Sequence, residues 1–305
     1  LGAYTKAYVA QAKPEKSVGE TAGYDLPKVA VVYASGDITG GESSDGSIGS
    51  TTLSEAIRKA RTDSSVKAIV LRVNSPGGSG LASDIIWREV ELAKQTKPVV
   101  VSMGDVAASG GYYISCAASK IFAEPVTITG SIGVFGMIPN MQGFFNDKLG
   151  ITFDGVQTDK YAGMLTVYRP LTDEEKGIIQ GYIDRFYGTF TSRVAQGRGL
   201  TVAQVDSIGQ GRVWTGTDAK RLGLVDEIGG LEDATNAAAA LADLGEGQFR
   251  TLGYPEQKDF FQELGESLSG QTITWLTQAA FGTDAELLQQ FQNGRKGRGM
   301  SGIQA

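Results

Sequence analysis

Apolar positions along this chain fall into two patterns. Nearly unbroken runs rich in β-branched residues occur at Lys28–Ala34 (KVAVVYA), at Val66–Val73 (VKAIVLRV) and at Val99–Val101 after Pro98. Continuous runs of that kind predict strands buried on both faces, because a strand with one wet face would alternate. Amphipathic stretches lie between them. Thr52–Thr62 predicts a helix with Ala56, Ile57 and Ala60 turned inward and with Thr51 or Thr52 as its cap. Leu81–Lys94 predicts a second helix. Strand, helix and strand in that rhythm imply right-handed crossovers and a mostly parallel sheet, so the fold class is α/β.

Downstream the pattern shortens. Lys120–Glu124, Thr127–Thr129, Ile132–Phe135 and Thr152–Val156 read as short strands, which Gly130, Gly133 and Gly136 break into the pieces of a wound, superhelical sheet. Leu171–Gly197 predicts a long helix. Thr172 can cap it, and Asp173, Glu174 and Glu175 sit where the helix dipole favours negative charge. Shorter helices are expected at Val202–Ile208, Thr217–Leu222 and Leu231–Leu244. Beyond Gly245, Phe260–Leu268 and Ile273–Phe281 are amphipathic pieces that either pack within the protein or rest on a neighbour or a membrane surface. The expected division is a linker or arm over residues 1–27, a catalytic domain over 28–244, and a helical extension with a frayed, basic tail over 245–305. Because it starts with Leu1 rather than Met, the chain is expected to be a piece of a longer protein.

Composition narrows the function. A net charge of −6 and the lack of any Lys/Arg cluster speak against a nucleic-acid partner. No apolar stretch approaches the ~18 residues of a membrane-spanning helix, so no transmembrane segment is expected in this chain. Cys116 stands alone in the apolar run YYISCAA, which forbids an intrachain disulfide and suits a packed core residue. The most informative count is 0 histidines. It removes Ser-His-Asp and Cys-His catalysis and any His-ligated zinc, and neither metal nor cofactor is expected. A nucleophilic serine then needs another base. Lysine leads, because a desolvated ammonium can lose its proton near neutral pH.

Two glycine-rich turns carry the candidate chemistry. After the Val99 strand, Gly104 and Asp105 are expected to turn the chain, and Ala107-Ala108-Ser109-Gly110-Gly111 leads into a helical stretch from Tyr112 to Lys120. Ser109 then sits at a strand-to-helix turn among small residues, where a peptide backbone can approach its hydroxyl and helix N–H groups can face a developing oxyanion. That placement fits a nucleophile and equally an N-cap serine in a packed turn. After the Val66 strand, Asn74-Ser75-Pro76-Gly77-Gly78-Ser79 lacks both the Gly-Lys-Ser/Thr ending of a phosphate loop and the spacing of a dinucleotide fingerprint. Its Pro-Gly-Gly turn offers backbone donors suited to an oxyanion or to an extended peptide. Both turns follow strands of one sheet and are expected at its carboxyl edge, where α/β sheets open their sites. Their convergence favours the nucleophile.

The stretches VKAIVLRVNSPGGS, KPVVVSMGDVAASGGYYIS and TITGSIGVFG, with GRVWTGTDAKRLGLVDEIGG, resemble the signal peptide peptidase A family of serine proteases over Lys28–Ala240. The resemblance implies a Clp-protease/crotonase-like superhelical fold. It implies a Ser-Lys dyad with Ser109 as nucleophile and Gly77 as an oxyanion donor, with Gly78 and Gly110 beside it. Ser131 of TGSIG resembles the second serine that helps hold the lysine. The implied substrates are peptides, typically remnant signal peptides, cleaved by a membrane-associated oligomer at the outer, periplasmic face of the bacterial cytoplasmic membrane.

In short members of the family the lysine follows the strand matching Thr152–Val156, in a Lys-x-x-x-Ser-Pro-like context. Here that stretch reads Gln157-Thr158-Asp159-Lys160-Tyr161-Ala162-Gly163-Met164. Lys160 is the local candidate, but it misses the motif, and Asp159 beside it favours a protonated amine. The stretch is more similar to the carboxy-terminal half of the long, tandem-repeat members, which take the lysine from their amino-terminal half. The base is therefore expected from such a half or a neighbouring chain first, and from Lys160 second. Two other readings stay open. A crotonase-type acyl-CoA enzyme needs a placed Glu or Asp rather than a serine, and a catalytically silent, peptide-binding scaffold half needs no base.

Overall fold

Each of the three long apolar runs becomes a strand, and the amphipathic stretches between them become helices. The computed structural model describes residues 26–245 and 247–254. In chain order these form β1 (Lys28–Ser35), β2 (Asp37–Thr39), β3 (Ser47–Gly49), α1 (Ser50–Thr62), β4 (Val66–Ser75), α2 (Gly80–Lys94), β5 (Val99–Ala108) and α3 (Gly110–Ser115). There follow β6 (Lys120–Ala123), β7 (Ile128–Gly130), a π-helical turn (Phe144–Leu149), α4 (Asp173–Arg198), α5 (Val202–Ile208) and β8 (Val213–Thr215). The described chain closes with α6 (Gly216–Arg221), β9 (Glu227–Ile228), α7 (Leu231–Leu241) and β10 (Arg250–Tyr254). The arm expected before Lys28 lies outside the described residues up to residue 25, as do the amphipathic pieces at Phe260–Leu268 and Ile273–Phe281 and the tail.

The main sheet runs β10-β1-β4-β5-β6-β9, with every pair on this path parallel. Alternate side chains leave its two faces. Ala30, Val32, Ile69, Leu71, Val101 and Met103 meet apolar residues of α1, α2 and α4 on one side. Val29, Val31, Ala68, Val70 and Val100 meet Ala234, Ala238 and Ala239 of α7 on the other. Covering both faces is what the unbroken runs require.

β5 forks, and the fork aims the site. Its first half pairs with β6, from Val100↔Lys120 to Ser102↔Phe122, and its second half with β7, from Val106↔Ile128 to Ala108↔Gly130. Gly104 and Asp105 therefore bend a continuing strand instead of turning the chain. The register against β4 slips between Val73 and Ser75. The Val106 N–H donates to Asn74 Oδ1 at 3.1 Å, replacing a lost ladder bond with a side-chain bond.

Other expectations change too. Ile132–Phe135 and Thr152–Val156 are not strands; beyond β7 the pairing with the chain before β8 continues only as far as Ile132, whose carbonyl accepts the Gly211 N–H at 2.8 Å. The 36–51 loop carries β2 and β3, which pair with each other. Helix α1 starts one residue before Thr51, with Gly49 at its N-cap. A Cβ on Gly49 would fall 2.2 Å from the Glu42 carbonyl carbon, so the loop packs where a capping side chain would sit, and Gly41 O accepts the Thr51 N–H at 2.9 Å. The folded body also continues past 244, because β10 joins the sheet beside β1.

Helix α4 begins as the sequence suggests. Thr172 accepts the Glu175 N–H, and the Glu175 carboxylate accepts the Thr172 N–H at 2.8 Å. Glu175 is buried at 3 % exposure and is gripped by both Arg169 amino groups at 2.8 and 2.7 Å. Those hydrogen bonds, then the Thr172 N–H, hold its carboxyl down at about 2 against an ordinary 4.5.

Two outcomes follow from this packing. Leu71→Ala, at 1 % exposure in the core, is expected to cost about 2–5 kcal/mol in denaturant unfolding. The Glu175 contribution is complete above pH ~4.5 and lost as the pH falls toward ~2, because its folded value lies below its unfolded one. Hydrogen exchange at the start of α4 should accelerate over that acidic window in the native chain, and the acceleration should vanish in Glu175→Gln.

Candidate active site

The end of β5 is held by its neighbour at the point where the chain must turn. The Ser109 N–H donates to Gly130 O at 2.9 Å, and Ser109 O accepts the Tyr113 N–H at 2.8 Å, opening α3. Between these two bonds Ser109 is forced to φ 50° and ψ −118°. A side chain at positive φ in this region stores about 1–3 kcal/mol. Only four described non-glycine residues have positive φ, and two of them are Ser109 and Ser131, at 50° and 48°. Ser131 follows the carbonyl that holds Ser109, and its own N–H donates to Arg212 O at 2.8 Å.

The two glycine turns meet as the strand pattern suggests, and more closely. A Cβ on Gly77, at φ 108°, would lie 2.6 Å from Gly110 N and 2.9 Å from Ser109 Cβ. A Cβ on Gly110 would lie 2.5 Å from Ser83 Oγ and 3.2 Å from Gly78 N. Backbone touches backbone, and only glycine fits.

The donor assignment changes in detail. The Gly77 N–H is already spent on Ser75 Oγ at 3.1 Å, and that hydroxyl donates to Gly36 O at 2.6 Å. The N–H that the resemblance implied as a donor is thus engaged within the turn. Flanking it, Ile38 N–H donates to Gly77 O and Ser79 N–H to Ile38 O, both at 2.8 Å. The Gly78 and Gly110 N–H groups have no acceptor among the described residues. They lie next to each other at the mouth of a cleft of about 270 Å³ that also contains Ser109. Tyr113, Phe186 and Phe190 form its apolar wall, and no Lys, Arg, Asp or Glu lines it.

Lys160 is elsewhere. It lines a separate depression with Gln157, Arg169 and Glu174. Its ammonium contacts both Glu174 oxygens, at 2.7 and 2.6 Å, and its side chain is 66 % exposed. Hydrogen bonding to Glu174, and then to Tyr161, holds the amine protonated above the usual lysine range. An exposed, ion-paired ammonium is the opposite of a desolvated base. Lys160 thus lies outside the lining of the Ser109 cleft, paired with Glu174 in a depression of its own. Cys116 is fully buried, its thiol pushed up to about 12 by burial, and it donates to Tyr113 O at 3.1 Å. Among the described residues no group of Cys, Asp or Glu is placed to hold a metal ion.

Sequence reasoning missed the aromatic wall. Phe186 and Phe190 are one turn apart on α4, a spacing shared by any core-facing helix side. The available signal was Tyr113, one turn after Ser109, which faces the same cleft.

Comparison with known proteins adds the lineage. The family model for peptidase family S49 matches residues 91–245, just over half of the chain. The chain is 47% identical over 222 residues to "Protease 4" of Haemophilus influenzae and 43% identical over 252 residues to "Protease 4" of Salmonella typhi. Those alignments cover 72% and 82% of this chain, but it spans only 36% and 40% of the two relatives. A solved ClpP1 mutant from Listeria monocytogenes is similar over 67% of this chain and 94% of that one, at 19% identity and a TM-score of 0.45. The matched stretch contains β5, Ser109 and the strand whose carbonyl holds it, and on that match the chain belongs to peptidase family S49.

Proposed function

We propose that the chain is the serine-bearing part of a signal-peptide-peptidase-like serine endopeptidase, with Ser109 as nucleophile of a Ser-Lys dyad. One observation carries the reading. A strained serine shares a cleft mouth with two unpaired backbone donors, Gly78 and Gly110, in a chain with 0 histidines. No carboxylate lines the cleft, which removes the acid or base of a crotonase-type reaction.

The base is an amine from beyond the described residues, supplied by a companion amino-terminal half or a second copy. Ser131, next to the carbonyl that anchors Ser109, is the residue we assign to steadying it. In the reaction, the neutral amine takes the Ser109 Oγ proton as Oγ bonds to the peptide carbonyl carbon. Charge moves to the carbonyl oxygen, where the Gly78 and Gly110 N–H groups each supply about 3–4 kcal/mol. The ammonium then protonates the leaving nitrogen as the C–N bond breaks. Water, losing its proton to the same amine, adds to the acyl carbon; the C–Oγ bond then breaks, the ammonium returns the proton to Ser109 Oγ, and the acid leaves.

The region between Ser131 and Thr172 supports an assembly. Phe135, Met137 and Val156 are 87, 85 and 99 % exposed there, a concentration of bare apolar surface of the kind that marks an interface. From the resemblance we assign the substrates as peptides, foremost remnant signal peptides, and the site of action as the outer face of the bacterial cytoplasmic membrane. No helix among the described residues is long and apolar enough to cross a membrane.

Two variants test the reading. Ser109→Gly in the complete assembly is expected to abolish peptide hydrolysis while raising stability by about 1 kcal/mol, since relief of the strain at positive φ outweighs the added unfolded-state freedom. Hydrolysis that survives the substitution refutes the nucleophile. Lys160→Ala should leave kcat/KM within about twofold of the parent, as expected for loss of an exposed ion pair, and a loss of several orders of magnitude would return the base to this chain.

A further inference from the structure

We propose that Phe186, seated against Gly80, decides which side chain the Ser109 cleft accepts: a compact aliphatic one such as leucine, and not a bulky aromatic one. The inference rests on the reading of the cleft as a peptide site and names the residue that sets its specificity.

The wall behind Phe186 cannot give. Tyr113 is 1 % exposed, donates its hydroxyl to Asp84 Oδ1 at 2.7 Å, and is tied by its N–H to Ser109 O at 2.8 Å. Trp87 meets its ring edge-on at 6.5 Å and Phe190 packs at 4.8 Å between centroids. Phe186 lies nearly parallel to it, 6.0 Å away at 13°. Helix α4 is itself clamped to α2, because the Arg193 guanidinium sits 3.7 Å over the Trp87 ring with Nε 3.6 Å from Asp84. Phe186, Phe190 and Arg193 follow the spacing of one helix face, so the clamp fixes where Phe186 projects.

The other side of the ring is closed by Gly80. A Cβ there would fall 2.4 Å from Phe186 Cζ and 2.6 Å from Cε1. The ring occupies the volume a side chain on Gly80 would need. Tyr113 on one side and the start of α2 on the other limit the ring's withdrawal from a ligand. The cleft it leaves, about 270 Å³, lies just under the ~300–1,000 Å³ of small-molecule sites. That suits one side chain of moderate size beside the hydroxyl.

The test uses N-acetylated tripeptides ending in alanine, leucine or tryptophan, which mimic the released acid product and bind without needing a base. Binding to the full chain is measured by calorimetry, with thermal melting as the folding control. The parent should prefer the leucine over the tryptophan peptide by about tenfold or more, the scale on which apolar pockets discriminate. Phe186→Ala should erase or reverse that ratio, and Phe186→Leu, the safer variant for folding, should reduce it. Gly80→Ala, which pushes the ring into the cleft, should weaken leucine-peptide binding about tenfold and alanine-peptide binding much less. The double variant Gly80→Ala with Phe186→Ala should recover the leucine peptide, because the clash has lost its partner. Unchanged ratios in both Phe186 variants, or no recovery in the double variant, overturn the proposal. If hydrolysis survives Ser109→Gly while these ratios behave as stated, only the nucleophile assignment fails.

Discussion

Direct backbone contact between the turns that follow β4 and β5 is the constraint from which the rest of the site follows. No side chain separates Gly77 from Ser109 and Gly110, and a Cβ on Gly77 would come within 2.6 Å of Gly110 N. That contact exists because the two strands are parallel neighbours with a shifted register at Val73–Ser75, so their ends reach the same height at the sheet edge. A methyl group at Gly77 or Gly110 would drive the turns apart. It would also part the Gly78 and Gly110 N–H groups, which lie side by side in the cleft lining with Ser109.

The same contact explains the strain at Ser109. Its N–H is held by Gly130, its carbonyl by Tyr113, and the chain has to reverse from strand to helix within one residue. Surrounding hydrogen bonds over-determine that backbone, which is how positive φ persists at a residue with a side chain. Ser109 lines the cleft, and it does not take the N-cap role that a serine at a helix start usually takes. No side-chain cap bond forms. That speaks against the capping role which the turn, taken alone, allowed for Ser109.

Charge is distributed unequally between the cleft and its surroundings. The cleft lining is apolar or hydroxylic, whereas Lys160, Arg169, Glu174 and Glu175 pair with one another at the foot of α4. A low-dielectric pocket strengthens backbone donors and makes it easier for an entering amine to stay neutral. An amine already paired with Glu174 in water has neither advantage. The clamp of Arg193 over Trp87 holds α4 where its phenylalanines form part of the cleft wall.

How much of this could be read from residues alone depends on the range of the interaction. Buried strands at Val29–Ala34, Val66–Val73 and Val99–Val101, the capped start of α4, and the meeting of two glycine turns at one sheet edge all follow from local pattern and parallel topology. The position of Ser109 at a strand-to-helix turn among small residues was also a local signal. Only the tertiary structure settled the rest. It bent β5 at Gly104 instead of turning it, engaged the Gly77 N–H with Ser75, placed Lys160 in a depression apart from the cleft, and set Phe186 against Gly80. Each of these depends on which distant groups compete for a hydrogen bond or a volume: Ser75 for the Gly77 N–H, Glu174 for the lysine, a missing Cβ for the ring. Spacing along a chain records periodicity, but it does not record those competitors.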